Sequence, residues 1–438
     1  MRMNKSNGVR VTSSRGVRGS GYRRSNSRRR DSGSDSRGRK RRRKRSKYRR
    51  SRSNSPYTSR RRKHKHKTRS CSFESDVSRS ARRNDDSVGE YKGRRGDMIL
   101  DYCIIRDMGV GTFGRVVECA NVLPYCHPSK KIVAIKVVRN IPKYVAEAEI
   151  EADILRRYVK VNRSYEGFDR IVYMYDSFRF RSHYCIVFEP LGMSLYDFQR
   201  KTNYKPMVVH DILRIGEDMK RALEFLHQRC SLIHADLKLE NILFDIPFPV
   251  SDTRKRDFRF PRVKLIDFGG AVHVDYPPDD EDAGQMMKNV QIINTRQYRA
   301  PEVTLRAGWS YSSDLWSLGC IMMELLGGDL LFQTHNEHEH IALIQKMIDE
   351  IPLSMRSHNP KSEENNEPFF GSSLDLRWPS SCASSSEIEN VKKVELLENQ
   401  ISKHFHRARV SEKDPDVVKF KNAVVAMLAV DPKKRTLK

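Results

Sequence analysis

Leu232-Ile233-His234-Ala235-Asp236-Leu237-Lys238-Leu239-Glu240-Asn241 is the stretch on which the fold turns. Asp236 offers a carboxylate able to take a proton, and Lys238 a cation able to offset a moving anion. Asn241, five residues after Asp236, offers an amide oxygen suited to a hard metal ion. Upstream, His210 to Arg229 carries apolar residues at Ile212, Ile215, Met219, Leu223 and Leu226. That spacing predicts a helix that packs and does no chemistry. Downstream, Lys264-Leu265-Ile266-Asp267-Phe268-Gly269 supplies a second carboxylate, Asp267, another hard oxygen donor. Asp-Phe-Gly alone is common by chance; its place after the first motif gives it weight.

Toward the N-terminus, Met108 leads into Gly109-Val110-Gly111-Thr112-Phe113-Gly114-Arg115-Val116. Glycines there let backbone N–H groups approach phosphate oxygens with no Cβ in the way. Alone the signal is weak. A dinucleotide site needs a helix after the third glycine, whereas Arg115-Val116-Val117-Glu118-Cys119 continues as strand. Val133 to Val138 is a β-branched run interrupted by Lys136, which in isolation reads equally well as a surface lysine. The predicted helix Tyr144 to Tyr158 offers Glu147, Glu149 and Glu151. The spacing of Glu151 to Leu155 favours it as the partner of Lys136, with Glu149 second. Cys185-Ile186-Val187-Phe188-Glu189-Pro190-Leu191-Gly192 reads as a strand that becomes an extended linker. Ser313 to Leu326 is apolar nearly all round, so it is expected to be a central, buried helix. Arg435 is the expected ion-pair partner of Glu302 in Ala300-Pro301-Glu302, a structural pairing.

Together these elements, in this order, resemble a eukaryotic protein kinase. CIVFEPLGMSLYDF, HADLKLENILF, TRQYRAPEV followed by GWS, and EHIALIQK resemble the CDC-like (LAMMER) dual-specificity kinases, over about Leu100 to Lys438. The resemblance implies an α+β, bilobal protein kinase fold, with a small β-rich N-lobe at about 97–189 and a helical C-lobe at about 190–438. It implies ATP and Mg²⁺. Asp236 would accept the substrate hydroxyl proton, Lys238 would neutralise the γ-phosphate, and Asn241 and Asp267 would hold the metal. Lys136, steadied by Glu151, would hold the α- and β-phosphates. Met108 through Val116 would cover the nucleotide, Glu189 and Leu191 would meet adenine, and Phe188 would guard the rear of the pocket. It also implies a monomer acting on Ser/Thr, and on Tyr in autophosphorylation, with Arg/Ser-rich splicing factors in the nucleus as substrates.

The sequence departs from that family in places. In Glu339-His340-Ile341-Ala342-Leu343-Ile344-Gln345-Lys346 only Glu339, His340 and Ala342 match the name-giving octet EHLAMMER. Leu239 replaces a proline, at a position that does no chemistry. Ala235 stands where many kinases carry an arginine that receives an activating phosphate, although CDC-like kinases lack it too. Activity without phosphorylation is therefore expected, and the acidic run Asp275, Asp279, Asp280, Glu281 and Asp282 is expected to attract Arg-rich peptides. Two insertions, Asp245 to Arg262 and Ser354 to about Lys392, are expected to be loops. The chain stops soon after Arg435, where the family continues with another helix, so a truncated end is expected.

Charge divides the chain sharply. Of its 83 basic and 55 acidic residues, 35 and 7 fall in residues 1–96, leaving 48 of each sign in 97–438. The whole excess of +28 is thus in the first segment. That arm is Arg/Ser-rich with almost no aliphatic residues, so residues 1–96 are expected to be a disordered basic tail. The dense cluster Lys40 to Lys44 suggests nuclear import, and the arm suggests electrostatic RNA contact or docking to Arg/Ser-rich proteins. No apolar run reaches 18 residues, so no membrane span is expected. No apolar segment follows the first charges, as a secretory signal requires. The eight cysteines form no CxxC pair and read as reduced thiols. Competing readings are a pseudokinase scaffold, a nucleic-acid-binding protein led by its arm, and a dual-specificity tyrosine-regulated kinase. The first must contend with Lys136, Asp236, Asn241 and Asp267 all being present. The second lacks a recognisable RNA-binding fold, and the third lacks the Tyr-x-Tyr pair.

Overall fold

The computed structural model describes residues 89–125, 127–254, 258–274 and 291–437. The expectations for the arm up to residue 88, and for the acidic run between Asp275 and Asp282, lie outside the described residues.

The first lobe is an antiparallel sheet of β1 (Met98–Ile99), β2 (Tyr102–Val110), β3 (Gly114–Asn121), β4 (Ile132–Val138), β5 (Met174–Phe180) and β6 (His183–Phe188). The strand order is β1-β2-β3-β4-β6-β5. Strand alternation decides what faces where. Val133, Ile135 and Val137 of β4 pack with Ile104, Val117, Cys119, Cys185 and Val187. Ala134 and Lys136 therefore turn to the opposite face, where they line the cleft between the lobes. α1 (Pro142–Ile154) has proline in its first turn, where no N–H is missed, and runs into a π-helical turn at Leu155–Val159.

Residues ahead of the expected boundary at 97 pack on the first lobe. Tyr91 is buried in the sheet's core, edge-on to Phe180 and His183.

The second lobe contains α2 (Leu195–Lys201), α3 (Val209–Arg229), β7 (Leu232–Ile233), β8 (Ile242–Phe244), β9 (Val263–Leu265) and β10 (Val272–His273). It continues with α4 (Pro301–Thr304), α5 (Ser312–Gly327), α6 (Glu337–Met347), α7 (Leu353–Arg356), α8 (Ser385–Lys393), α9 (Leu397–Ala408) and α10 (Pro415–Met427). The five stripe residues of α3 are all buried, each stabilising by about 1.5–3 kcal/mol. Every residue of α5 from Ser313 to Leu326 is buried, as its all-round apolarity predicts. β8 pairs with β9 and β7 with β10, so the ends of these short strands present the residues around Asp236 and Asp267 together.

In its described residues the first insertion is the expected loop, whereas the second departs from that expectation. The first holds a 3-10 turn at Val250–Arg254, and its Phe248, Phe258 and Phe260 pack with Phe198 and Phe244 as a ring cluster. The second includes α8, opened by a Ser384/Glu387 capping box, and buries Phe369 and Phe370. Among the described residues no helix is long and apolar enough to cross a membrane, and the six described cysteines are free thiols.

Candidate active site

A cleft of about 590 Å³ opens between the lobes. Its roof is the β2–β3 hairpin. A Cβ placed on Gly109 or Gly111 would meet nothing within 4 Å, so the reason for glycine there is close approach of a phosphate rather than packing. Gly114 is needed for another reason: a Cβ there would come within 2.4 Å of the Val137 carbonyl on β4. Met108, Gly109, Val110, Gly111, Phe113, Gly114 and Val116 line the cleft. Thr112 and Arg115 do not. Arg115 alternates to the far side of the strand, where it bonds Asp107 and donates to the Gly93 carbonyl at 2.5 Å.

Lys136 projects into the cleft and meets Glu151 Oε2 at 2.7 Å and Asp267 Oδ1 at 3.5 Å. Burial works against its ammonium, but the two carboxylates push its pKa above the ordinary value. Glu149, the second choice, turns outward to Arg179, and Glu147 lies 3.9 Å from Lys143. Asp267 is held in a left-handed backbone conformation. Burial opposes its charge, yet Lys136, His234, the Gly269 N–H and Lys238 together hold its carboxyl below the usual range.

At the rear and edge, Phe188, Glu189 and Leu191 line the cleft. The Glu189 side chain points away from it, accepting from the Tyr173 N–H at 2.9 Å and from Lys264 at 2.6 Å. Only its backbone carbonyl is therefore left to face an adenine. Among the described residues, neither that carbonyl nor the Leu191 N–H bonds another backbone group outside the helices and strands.

Asp236 is the hub of the floor. Its Oδ2 accepts from Lys238 Nζ at 2.7 Å and from the Asn241 amide at 3.4 Å. Its Oδ1 accepts from the Thr295 hydroxyl at 3.0 Å and the Thr295 N–H at 3.3 Å. The Asn241 amide nitrogen also donates to the Asp236 carbonyl at 2.9 Å, which leaves its side-chain oxygen as an acceptor. With the Asp267 carboxylate, that oxygen forms the kind of hard donor set that suits Mg²⁺.

Two residues not singled out from the sequence hold this floor in place. Asp314, fully buried on α5, accepts from the His234 N–H at 2.8 Å, the Ala235 N–H at 3.0 Å and His227 Nε2 at 2.9 Å. Ala235 sits in the left-handed region, and Asp314 holds it there. A lone aspartate in an apolar helix was the available signal. Thr295 opens the motif TRQYRAPEV, but its contact with Asp236, 59 positions away, had no local signal.

Residues 102–437 match the family model for the protein kinase domain. The serine/threonine-protein kinase AFC3 of Arabidopsis thaliana is 36% identical over 365 residues, covering 81% of this chain and 84% of that protein. The dual specificity protein kinase lkh1 of Schizosaccharomyces pombe is 32% identical, covering 80% of this chain and 47% of its own. A solved crystal structure of a kinase domain superposes with a TM-score of 0.64 at 35% identity, covering 80% of this chain and 96% of that one.

Proposed function

Because this chain belongs to the protein kinase family, within the CDC-like dual-specificity group, we propose that it passes the γ-phosphate of ATP to serine and threonine in Arg/Ser-rich splicing factors of the nucleus, and to tyrosine in autophosphorylation. Asp236 accepts the hydroxyl proton while Thr295 and Lys238 fix its two oxygens. Lys136 binds phosphate oxygens with Glu151 behind it, and Lys238 offsets charge on the transferred group. Mg²⁺, when held by Asp267 and Asn241, neutralises phosphate charge. The adenine meets the Glu189 carbonyl and the Leu191 N–H. Nuclear import and RNA contact belong to the basic arm, residues 1–96.

The observation that supports an Arg-rich substrate is Glu240, a carboxyl in the cleft wall that forms no ion pair among the described residues. Glu240 lines the cleft, and Glu324 is 9% exposed. Among the described residues neither forms an ion pair; Glu324 accepts only from the Tyr298 hydroxyl, at 2.6 Å. Burial first, and then the neighbouring Glu240, pushes the Glu324 pKa to about 8, while its bond from Tyr298 opposes the rise. Glu324 therefore keeps its proton at neutral pH, and a substrate guanidinium pairs with Glu240, a charged hydrogen bond of a kind worth about 1.5–3 kcal/mol.

The test is phosphate transfer from Mg-ATP to an Arg/Ser-repeat peptide and to a length-matched neutral serine peptide, with product sites mapped. We expect kcat/KM to favour the Arg-rich peptide at least tenfold. Glu240→Gln should erase most of that preference. Equal rates on the two peptides in the parent enzyme would refute the substrate assignment.

A further inference from the structure

We infer that two carboxylates of the second insertion, Glu363 and Glu364, hold the loop that carries Thr295 in its working position, as permanent substitutes for an activating phosphate. Three arginines surround that loop: Arg296 and Arg299 within it, and Arg306 just after α4. Arg299 is 9% exposed and donates to the carbonyls of Ile293 and Asn294, both at 3.0 Å. Arg306 lies 2.9 Å from Glu363 and 3.5 Å from Glu337 of α6. Arg296 pairs with Glu364 and donates to the His335 carbonyl.

Clustered guanidiniums repel one another when buried. Desolvation lowers the Arg299 pKa to about 10; Glu337 opposes the drop, and neighbouring Arg296 adds to it. A switchable kinase relieves such a cluster with a phosphate on its activation loop, which orders the segment through new arginine contacts. Here Glu337, Glu363 and Glu364 match the three arginines in number. They also bond among themselves. The Glu363 N–H donates to Glu337 Oε2 at 3.0 Å, and Glu364 Oε2 accepts from Ser362 at 2.9 Å and from the Glu337 N–H at 3.3 Å.

The consequence reaches the floor of the site in two steps. Glu364 fixes Arg296, and Arg296 adjoins Thr295, which donates twice to Asp236. The preceding Asn294 is in the left-handed region and donates its N–H to the Ala235 carbonyl at 2.9 Å. Backbone in that conformation persists only where its surroundings hold it. Glu363 and Glu364 are thus positioning residues, acting through the arginines on substrate binding and on the placement of Asp236.

The inference rests on Asp236 as the proton acceptor, and the experiment separates the two. Full-length chain is treated with phosphatase, then assayed as the parent, as Glu363→Gln with Glu364→Gln, and as Asp236→Asn. The treated parent should keep its activity. The double variant should raise the peptide KM and lower kcat, for a loss of about tenfold or more in kcat/KM, with the KM for ATP unchanged. Exchanging the charges, Arg296→Glu with Glu364→Arg, should recover part of the loss that Glu364→Arg alone produces. A parent silenced by phosphatase, or a double variant with unaltered peptide kinetics, overturns the inference. So does a double variant whose defect is matched by a fall in Tm and a changed ATP KM, or a charge exchange that recovers nothing. Should Asp236→Asn stay active, the reading of the floor fails instead.

Discussion

Two buried cations in this molecule face carboxylates in opposite ways. Arg435 and Glu302 are both fully buried side chains and satisfy each other completely. Arg435 donates to both Glu302 oxygens, at 2.5 and 2.7 Å, and to the carbonyls of Ala429, Ser312 and Val430. Its guanidinium also lies 4.9 Å from the Trp316 ring. Lys136 faces two carboxylates with one charge, beside an open cleft, and is 19% exposed. A closed set of bonds leaves no capacity for a ligand. A surplus of charge at a cavity wall leaves some, and that separates a group that holds the fold from one that can do chemistry.

The comparison breaks most visibly in activity. Asp236→Asn should lower kcat by about 10²–10⁴ while nucleotide affinity, read by fluorescent ATP-analogue titration, stays near that of the parent. Lys136→Met should cost about 10²–10³ in kcat, the order expected for a lost charge-stabilising donor, with a small change in Tm. Glu151 can respond by taking up a proton, since burial already raises its pKa. Retention of more than a tenth of the parent rate by either variant would remove that residue from the chemistry.

At Arg435 the expectation inverts. Arg435→Ala strands Glu302 as an uncompensated buried charge and should cost about 3–5 kcal/mol in denaturant unfolding. Its specific activity well below the new Tm should be nearly normal. Replacing both members, with Glu302→Leu and Arg435→Met, should recover much of the stability, because no orphan charge remains. If the double variant is as unstable as the single one, the pair's own bonds matter more than the desolvation they offset.

The contrast between these two sites was partly legible before any coordinates. Glu151 could be preferred over Glu149 because residues two apart on a helix face opposite ways, and Leu155, one turn on, is buried on the same side. Read as one stretch, Gly109 through Val116 does not show the alternation of β3, which turns Arg115 away. The second insertion read as a loop because Phe369 and Phe370 adjoin and give no period, although Ser384 and Glu387 spelled out a helix start. The contacts of Thr295, Glu363 and Glu364 were hidden for a simpler reason. They span 59 positions to Asp236 and 57 to 68 to the arginines, and no local pattern encodes such distances.

Glu324 is the intermediate case, buried with one hydrogen bond and no cation. Its folded pKa of about 8 lies above its ordinary value of 4.5. The folded state therefore holds a proton that the unfolded chain has released. The stabilisation is complete below about pH 4.5 and is lost as pH rises through about 8. The Tm should fall across that range, and Glu324→Gln, which keeps a bond to Tyr298, should flatten the fall. Parallel Tm–pH curves for parent and variant would show that Glu324 ionises without consequence.

The smallest effect is expected at the N-terminal edge, where a cation is satisfied by backbone alone on one side. Arg115 bonds Asp107 on the sheet and donates to the carbonyls of Gly93, at 2.5 Å, and Tyr91, at 3.3 Å. Tyr91 anchors that segment with its ring in the core, and Gly89 accepts from the Asn140 N–H at 2.8 Å. Gly114, next to Arg115, is a cleft residue, so the segment props the hairpin that roofs the nucleotide site. Two truncations then behave differently. Removing residues 1–88 should leave Tm and the KM for ATP unchanged. Removing 1–96 takes Tyr91 and both carbonyls, and should cost about 1–3 kcal/mol and raise the KM for ATP a few-fold. Tyr91→Ala in the full chain should reproduce most of that difference, since the anchor and not the basic charge is what the longer cut removes. Identical behaviour of the two truncations would place the start of the working body at residue 97, where the charge distribution alone put it.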